Sequence, residues 1–155
     1  GDDIPRFIFV DSLVPATVEK ILDRIENEKT LLVVSSKSGT TLETITLANY
    51  FLEKLASTLS TSCGYQNAIA ITDPGTDLEK FALQHNFRSV VYGNLNIGGR
   101  FSELSSFGLF PALLNRSNVS SVVDAANVMV SLCRNLGYQQ NPGILLADYL
   151  PTVLP

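Results

Sequence analysis

Four hydroxyl side chains, one lysine and one glycine occupy six consecutive positions in the run Ser36-Lys-Ser-Gly-Thr-Thr41. The run lies between a short apolar stretch, Leu31 to Ser35, and a long amphipathic one led by Glu43. In parallel sheets, ligands bind beyond the carboxyl ends of the strands, which is where such a loop would lie. A helix N-terminus also offers unpaired N–H groups and a dipole that favours an anion. Hydroxyls and backbone N–H groups can surround a phosphate without the desolvation cost of burying several cations. Gly39 lets the backbone curl so that successive N–H groups point inward. A plainer use is helix capping, by Thr40 or Thr41 with Glu43 reaching back. Capping needs one hydroxyl, whereas this loop has four. Neither the GxxxxGK[ST] spacing of a nucleotide loop nor a GxGxxG after a strand occurs, so a small phosphorylated metabolite fits better than a nucleotide.

A second polar run, Gly98-Gly99-Arg100-Phe101-Ser102, follows a later apolar stretch and is expected at the same end of the sheet. Paired glycines let a ligand approach the backbone closely. Arg100 is always charged and offers five donors in a fixed fork. Beside a sugar oxygen it would stabilise the negative charge of a forming enediolate. The plainer alternative is a Gly-Gly turn with Arg100 paired to Glu103 on the surface. Other candidates are weaker. His85 reads as the end of a short helix, Asp11 and Asp73 as turn residues that could brace a loop, and Cys63 and Cys133 as structural.

The elements that must position these loops follow from apolar patterning. Phe7 to Val10, Leu31 to Ser35, Ala68 to Thr72 and Phe87 to Tyr92 read as strands. Between them, helices are expected from Pro15 through Ile25, from Glu43 to about Leu59, and around Leu78, Phe81 and Ala82. The alternation predicts an α/β fold, a parallel sheet covered by helices on both faces. After Gly93 it stops, and three helices follow: Ser105 to Leu114, Val119 to Leu136 and Pro142 to Leu150. The middle one carries Val122, Val123, Ala126, Val130 and Cys133 in one stripe.

Composition bounds the function. The 155 residues include 11 basic and 15 acidic ones, a formal net charge of −4, and 45% are apolar. Without a Lys/Arg cluster, no nucleic-acid partner is expected. No run of 18 apolar residues occurs, so no membrane partner is expected either, and the cytoplasm is the expected location. Charged residues make up 17%, below the roughly 25% usual for a soluble domain. This points to a surface covered by a partner or by further chain. No cluster of metal-ligating residues stands out, and no cofactor is expected.

The two loops also carry a family resemblance. Ser35-Ser-Lys-Ser-Gly-Thr-Thr-Leu-Glu-Thr44 resembles the sugar-phosphate loop of SIS domains, the sugar isomerase fold. Ile97-Gly-Gly-Arg-Phe-Ser-Glu-Leu-Ser-Ser-Phe-Gly-Leu109 resembles the more specific signature of glucose-6-phosphate isomerases. Asn141-Pro-Gly143 resembles the segment leading towards that family's second SIS domain. The resemblance implies a flavodoxin-like three-layer SIS fold over residues 1–136 and a helical segment over 137–155. It implies that Ser36, Ser38 and Thr41 bind a substrate phosphate, with Lys37 supporting the loop and Thr40 assisting. Gly99 and Arg100 would lie beside C1 and C2 of an open-chain hexose 6-phosphate, with Arg100 stabilising the cis-enediol(ate) between glucose 6-phosphate and fructose 6-phosphate. The family needs no metal or redox cofactor.

Some family features have no match here. They are the glutamate that shuttles the proton between C1 and C2, the histidine that helps open the ring, a late lysine, and the glycine-rich first strand. The chain is therefore expected to be a fragment that lacks its first strand and its base, is inactive alone, and is completed by the rest of a parent enzyme or by a homodimer. Two alternatives remain: a non-catalytic SIS module that binds or senses a sugar phosphate, and a related isomerase for another hexose phosphate.

Overall fold

A computed structural model describes residues 5–25, 29–58, 61–135 and 137–153, with the backbone alone for 58, 61–63, 135 and 151–153. Contacts gather the chain into two units, Gly1–Asn115 and Arg116–Pro155. The family resemblance implies a later boundary, after residue 136.

The first unit runs α1 (Pro15–Leu22), β1 (Leu32–Ser35), α2 (Leu42–Thr58), α3 (Thr61–Gln66), β2 (Ala68–Thr72), α4 (Asp77–Gln84), β3 (Ser89–Tyr92) and α5 (Ser106–Leu114). The strands form one parallel sheet in the order β1-β2-β3, with Val34 opposite Ala70 and Ala70 opposite Val90. Every residue of β2 is buried. Because strand side chains alternate between faces, both faces of the central strand are covered. On one face Val34 and Ala70 pack with Ala48 of α2 and with Leu78 and Ala82 of α4. The long helix α2 buries Ala48, Phe51, Leu52 and Leu55, a spacing that gives one apolar stripe. Burying a leucine here contributes about 1.5–3 kcal/mol, and this fixes α2 and the loop at its head against the sheet.

Three expectations need correction. Phe7 to Val10 is not a strand: it pairs with neither edge of the sheet, and Phe9 is 80% exposed. An apolar run becomes a strand only where a partner edge accepts its backbone. The first helix ends at Leu22, with Asp23 as its C-cap, so Ile25 lies outside it. The short helix α3 stands where no helix is expected, because its six residues show no periodicity. Gly64 explains its position: a β-carbon there would come within 2.6 Å of the Ala56 backbone on α2, so the two helix backbones approach closely only because residue 64 is glycine.

The second unit contains α6 (Val119–Asn135), a short 3₁₀ turn (Tyr138–Gln140) and α7 (Pro142–Val153). Asn141 is its one buried side chain among the described residues. Its amide donates to the Cys133 carbonyl at 2.6 Å, and its oxygen accepts from the N–H groups of Gly143 and Ile144, capping α7. The apolar stripe of α6 is left largely open, with Val122, Val123 and Val130 exposed.

Candidate functional site

All three strands end at the same edge of the sheet, and each C-terminal end feeds a polar loop: 36–41 after β1, 73–76 after β2, and 93–98 after β3. The first loop is shaped by its own hydroxyls. Ser36, 6% exposed, turns inward: its Oγ accepts from the Gly39 N–H at 3.2 Å and donates to Thr41 Oγ1 at 3.3 Å. The Ser38 Oγ accepts from the Thr40 N–H at 3.3 Å and from its hydroxyl at 3.1 Å. Gly39 has φ +67°, the left-handed region that glycine adopts freely. A β-carbon there would lie 2.7 Å from Thr76 Cβ and 3.1 Å from the Leu78 nitrogen, so the loop also presses against the head of α4.

The capping alternative can be checked bond by bond. Thr41 contributes its carbonyl, which accepts from the Ile45 N–H at 3.0 Å. Its hydroxyl and that of Thr40 are engaged with Ser36 and Ser38 rather than with the helix backbone. Among the described residues, no side chain caps the N–H groups of Leu42, Glu43 and Thr44. The head of α2 therefore keeps its donors and its positive dipole end open beside the exposed Ser38, Thr40 and Thr41. That arrangement suits an oxyanion.

Lys37 points elsewhere. Its ammonium donates to both carboxylate oxygens of Asp73, at 2.9 and 2.7 Å, and to the Asn94 carbonyl at 2.8 Å. It lies 5.5 Å from the centroid of the Phe107 ring. In the sequence Asp73 reads chiefly as a turn residue. It is 7% exposed, and its backbone N–H donates to the Lys37 carbonyl at 3.3 Å. Gly93 makes room for it, since a β-carbon there would overlap Asp73 Oδ1 and the Phe107 ring. The lysine and aspartate side chains are only 22% and 11% exposed. For a pair this shielded, desolvation offsets much of the Coulomb gain, but removing one partner costs about 3–5 kcal/mol.

The Gly98–Ser102 segment forms a tight 3₁₀ turn at Gly99–Phe101. The Ser102 hydroxyl donates to the Gly99 carbonyl at 2.6 Å, and the Phe101 N–H to the Gly98 carbonyl at 3.0 Å. This turn lies against the first loop, since a β-carbon on Gly99 would be 4.0 Å from Lys37 Cδ. Arg100 is exposed, and among the described residues it makes no hydrogen bond or ion pair, with Glu103 or any other group. Glu103 is used differently: its carbonyl packs on Gly108, where a β-carbon would overlap it.

A model of the phosphoglucose isomerase family matches residues 2–150. The chain belongs to that family. It is 33% identical over 145 residues to the probable glucose-6-phosphate isomerase of Methanococcus maripaludis, covering 94% of this chain and 32% of the relative. It is 34% identical over 142 residues to the glucose-6-phosphate isomerase of Rippkaea orientalis, covering 90% and 26%. The chain thus spans about a third or less of these curated relatives. Among solved structures, a hypothetical protein from Thermus thermophilus superposes with a TM-score of 0.88 at 26% identity, over 95% of this chain and 35% of that one. A glucose-6-phosphate isomerase from Chlamydia trachomatis superposes with a TM-score of 0.57 at 28% identity, over 71% and 20%. A sheet of parallel strands flanked by helices agrees with the SIS-like layering expected of this phosphoglucose isomerase family member.

The remaining candidates have structural partners or none. His85 caps α4, its Nδ1 lying 2.9 Å from the Phe81 carbonyl and its ring against Tyr65 and Phe81. Cys133 is a free thiol, and the side chain of Cys63 lies outside the described residues. Asp11 is exposed and, among the described residues, makes no hydrogen bond or ion pair with either loop. Glu79, at the outer rim, accepts from the Tyr92 hydroxyl at 2.8 Å and from the Gly75 N–H at 2.5 Å. These bonds hold its carboxyl below the usual value and raise the Tyr92 phenol above its own. Among the described residues, no group of three or more His, Cys, Asp or Glu could hold a metal ion, and no helix is long and apolar enough to cross a membrane.

Proposed function

We propose that this chain is the part of an aldose–ketose isomerase that holds the phosphate and stabilises the enediolate during interconversion of glucose 6-phosphate and fructose 6-phosphate. The observation that carries this reading is the adjacency of two loops of opposite character. One has open N–H groups and exposed hydroxyls, and the other presents an arginine that has no hydrogen-bond or ion-pair partner among the described residues. Ser38, Thr40 and Thr41 meet the phosphate from the exposed side, and Ser36 holds the loop from beneath. Lys37 supports the loop through its bonds to Asp73 and Asn94, away from the phosphate. Gly99 lets C1 and C2 of the open-chain sugar approach the backbone, and Arg100 stabilises the oxyanion that forms there when the C2 proton is removed.

Isomerisation also needs a general base within reach of that proton. In this reading the base lies in the remainder of the parent enzyme, as do a partial SIS domain's first strand and the homodimer or second domain that covers the exposed stripe of α6. The isolated chain then binds hexose 6-phosphate without turning it over. A coupled isomerase assay at high protein concentration, with calorimetric titration of 5-phosphoarabinonate on the same sample, tests this. Binding without turnover, weakened in Arg100→Ala, supports the half-site. Turnover would place an unrecognised base in the chain. Binding indifferent to Arg100→Ala would favour a module that only binds or senses a sugar phosphate.

A further inference from the structure

The geometry points to Asp73 as a positioning residue that makes the two loops one site, an inference that rests on the functional reading above. Asp73 sits at the C-terminal end of the central strand, between the ends of β1 and β3. It grips the first loop twice, through its N–H to the Lys37 carbonyl and through its carboxylate to the Lys37 ammonium. The same ammonium donates to the Asn94 carbonyl at 2.8 Å, in the stretch leading to Gly99 and Arg100. Gly93 and the Phe107 ring close over the carboxylate, so it cannot swing away without moving β3's loop or α5. Lys37 thus contributes its charge to the join between the loops and is withheld from the phosphate seat, which is left to hydroxyls and N–H groups.

A sugar phosphate must be held at both ends at once, its phosphate by one loop and its C1–C2 end by the other. The distance between the loops therefore decides whether both contacts form, and small misplacements are costly. Inorganic phosphate needs the first loop only. The Asp73–Lys37–Asn94 bridge should accordingly matter for the two-ended ligand and little for the one-ended one, a difference that general loss of structure would not produce.

The test is calorimetry of the full chain and its Asp73→Asn variant with inorganic phosphate and with 5-phosphoarabinonate, alongside Lys37→Met and the double variant. In Asp73→Asn, affinity for 5-phosphoarabinonate should fall on the order of tenfold and that for inorganic phosphate by less than about twofold. The double variant should lose little beyond the larger single loss, because both changes break one bridge. Equal losses for the two ligands, or none, would overturn the inference. If the variants do not fold, amide NMR of the wild-type chain decides. 5-phosphoarabinonate should shift Asn94 and Gly99 as well as Ser38 to Glu43, whereas inorganic phosphate shifts the first loop alone, and 5-phosphoarabinonate shifts confined to the first loop would contradict the inference. Failure of wild type to bind either ligand would instead sink the functional reading.

Discussion

The two loops of the site are built on opposite plans. The 36–41 loop is closed on itself: its hydroxyls bond one another, its glycine is wedged against Thr76, and its shape exists before any ligand arrives. The 98–102 turn is held by its backbone and by the Ser102 hydroxyl, while the Arg100 side chain has no hydrogen-bond or ion-pair partner among the described residues. A preformed seat suits a group that is the same in substrate and product, such as a phosphate. A free guanidinium suits a centre whose charge appears only during reaction. In the proposed function, binding and chemistry fall to separate loops, joined by the part-buried Lys37–Asp73 ion pair.

That contrast can be broken most forcefully at Gly39. Gly39→Ala forces a β-carbon into the left-handed region and against Thr76, where strain of about 1–3 kcal/mol is expected. Urea unfolding should show the loss of stability, and phosphate binding should disappear with it. Ser36→Ala removes the hydroxyl that both accepts from Gly39 and donates to Thr41. An unsatisfied buried group costs about 1–3 kcal/mol, and the loop should lose affinity for inorganic phosphate and sugar phosphate alike. Arg100→Ala is the counterpart: stability should stay within about 0.5 kcal/mol and inorganic phosphate binding should be unchanged, while 5-phosphoarabinonate binding weakens. If Arg100→Ala unfolds the chain, the separation of roles is wrong.

The smallest effect lies at the rim. Glu79 is held below its ordinary value of 4.5 by the bonds from Tyr92 and Gly75. Its contribution to stability is therefore full above that value and lost as pH falls through the depressed one. Tyr92 is raised above 10.0 by the same bond, so its contribution is full below 10.0 and lost as pH rises through the raised value. Tyr92→Phe should flatten both limbs of a stability–pH profile and move the Glu79 carboxyl resonance titration upward, without touching phosphate affinity.

Much of this was legible in the sequence because local chemistry and fold agree there. Leu31 to Ser35 is apolar until the strand ends, the hydroxyls begin where the loop begins, and Gly39 stands where φ is positive. Ile45, Ala48, Leu52 and Leu55 announce α2 by spacing alone. What stayed hidden depends on partners distant in the chain. Phe7 to Val10 has the composition of a strand but pairs with neither edge of the sheet. α3 is fixed by the fit of Gly64 against Ala56, which no periodicity encodes. Asp73 looks like any turn aspartate beside Pro74 and Gly75, and its role appears only when Lys37, Gly93 and Phe107 are brought around it. The stripe of α6 was legible as apolar, yet within the second unit it remains open.

The central claim, a phosphate seat and an arginine working on one sugar phosphate, is tested most directly by calorimetric titration of 5-phosphoarabinonate into wild type and Arg100→Ala. The account predicts binding to wild type that is clearly weakened, not abolished, in the variant, because the phosphate seat survives. Identical affinities in the two proteins, or no binding to wild type, would contradict it.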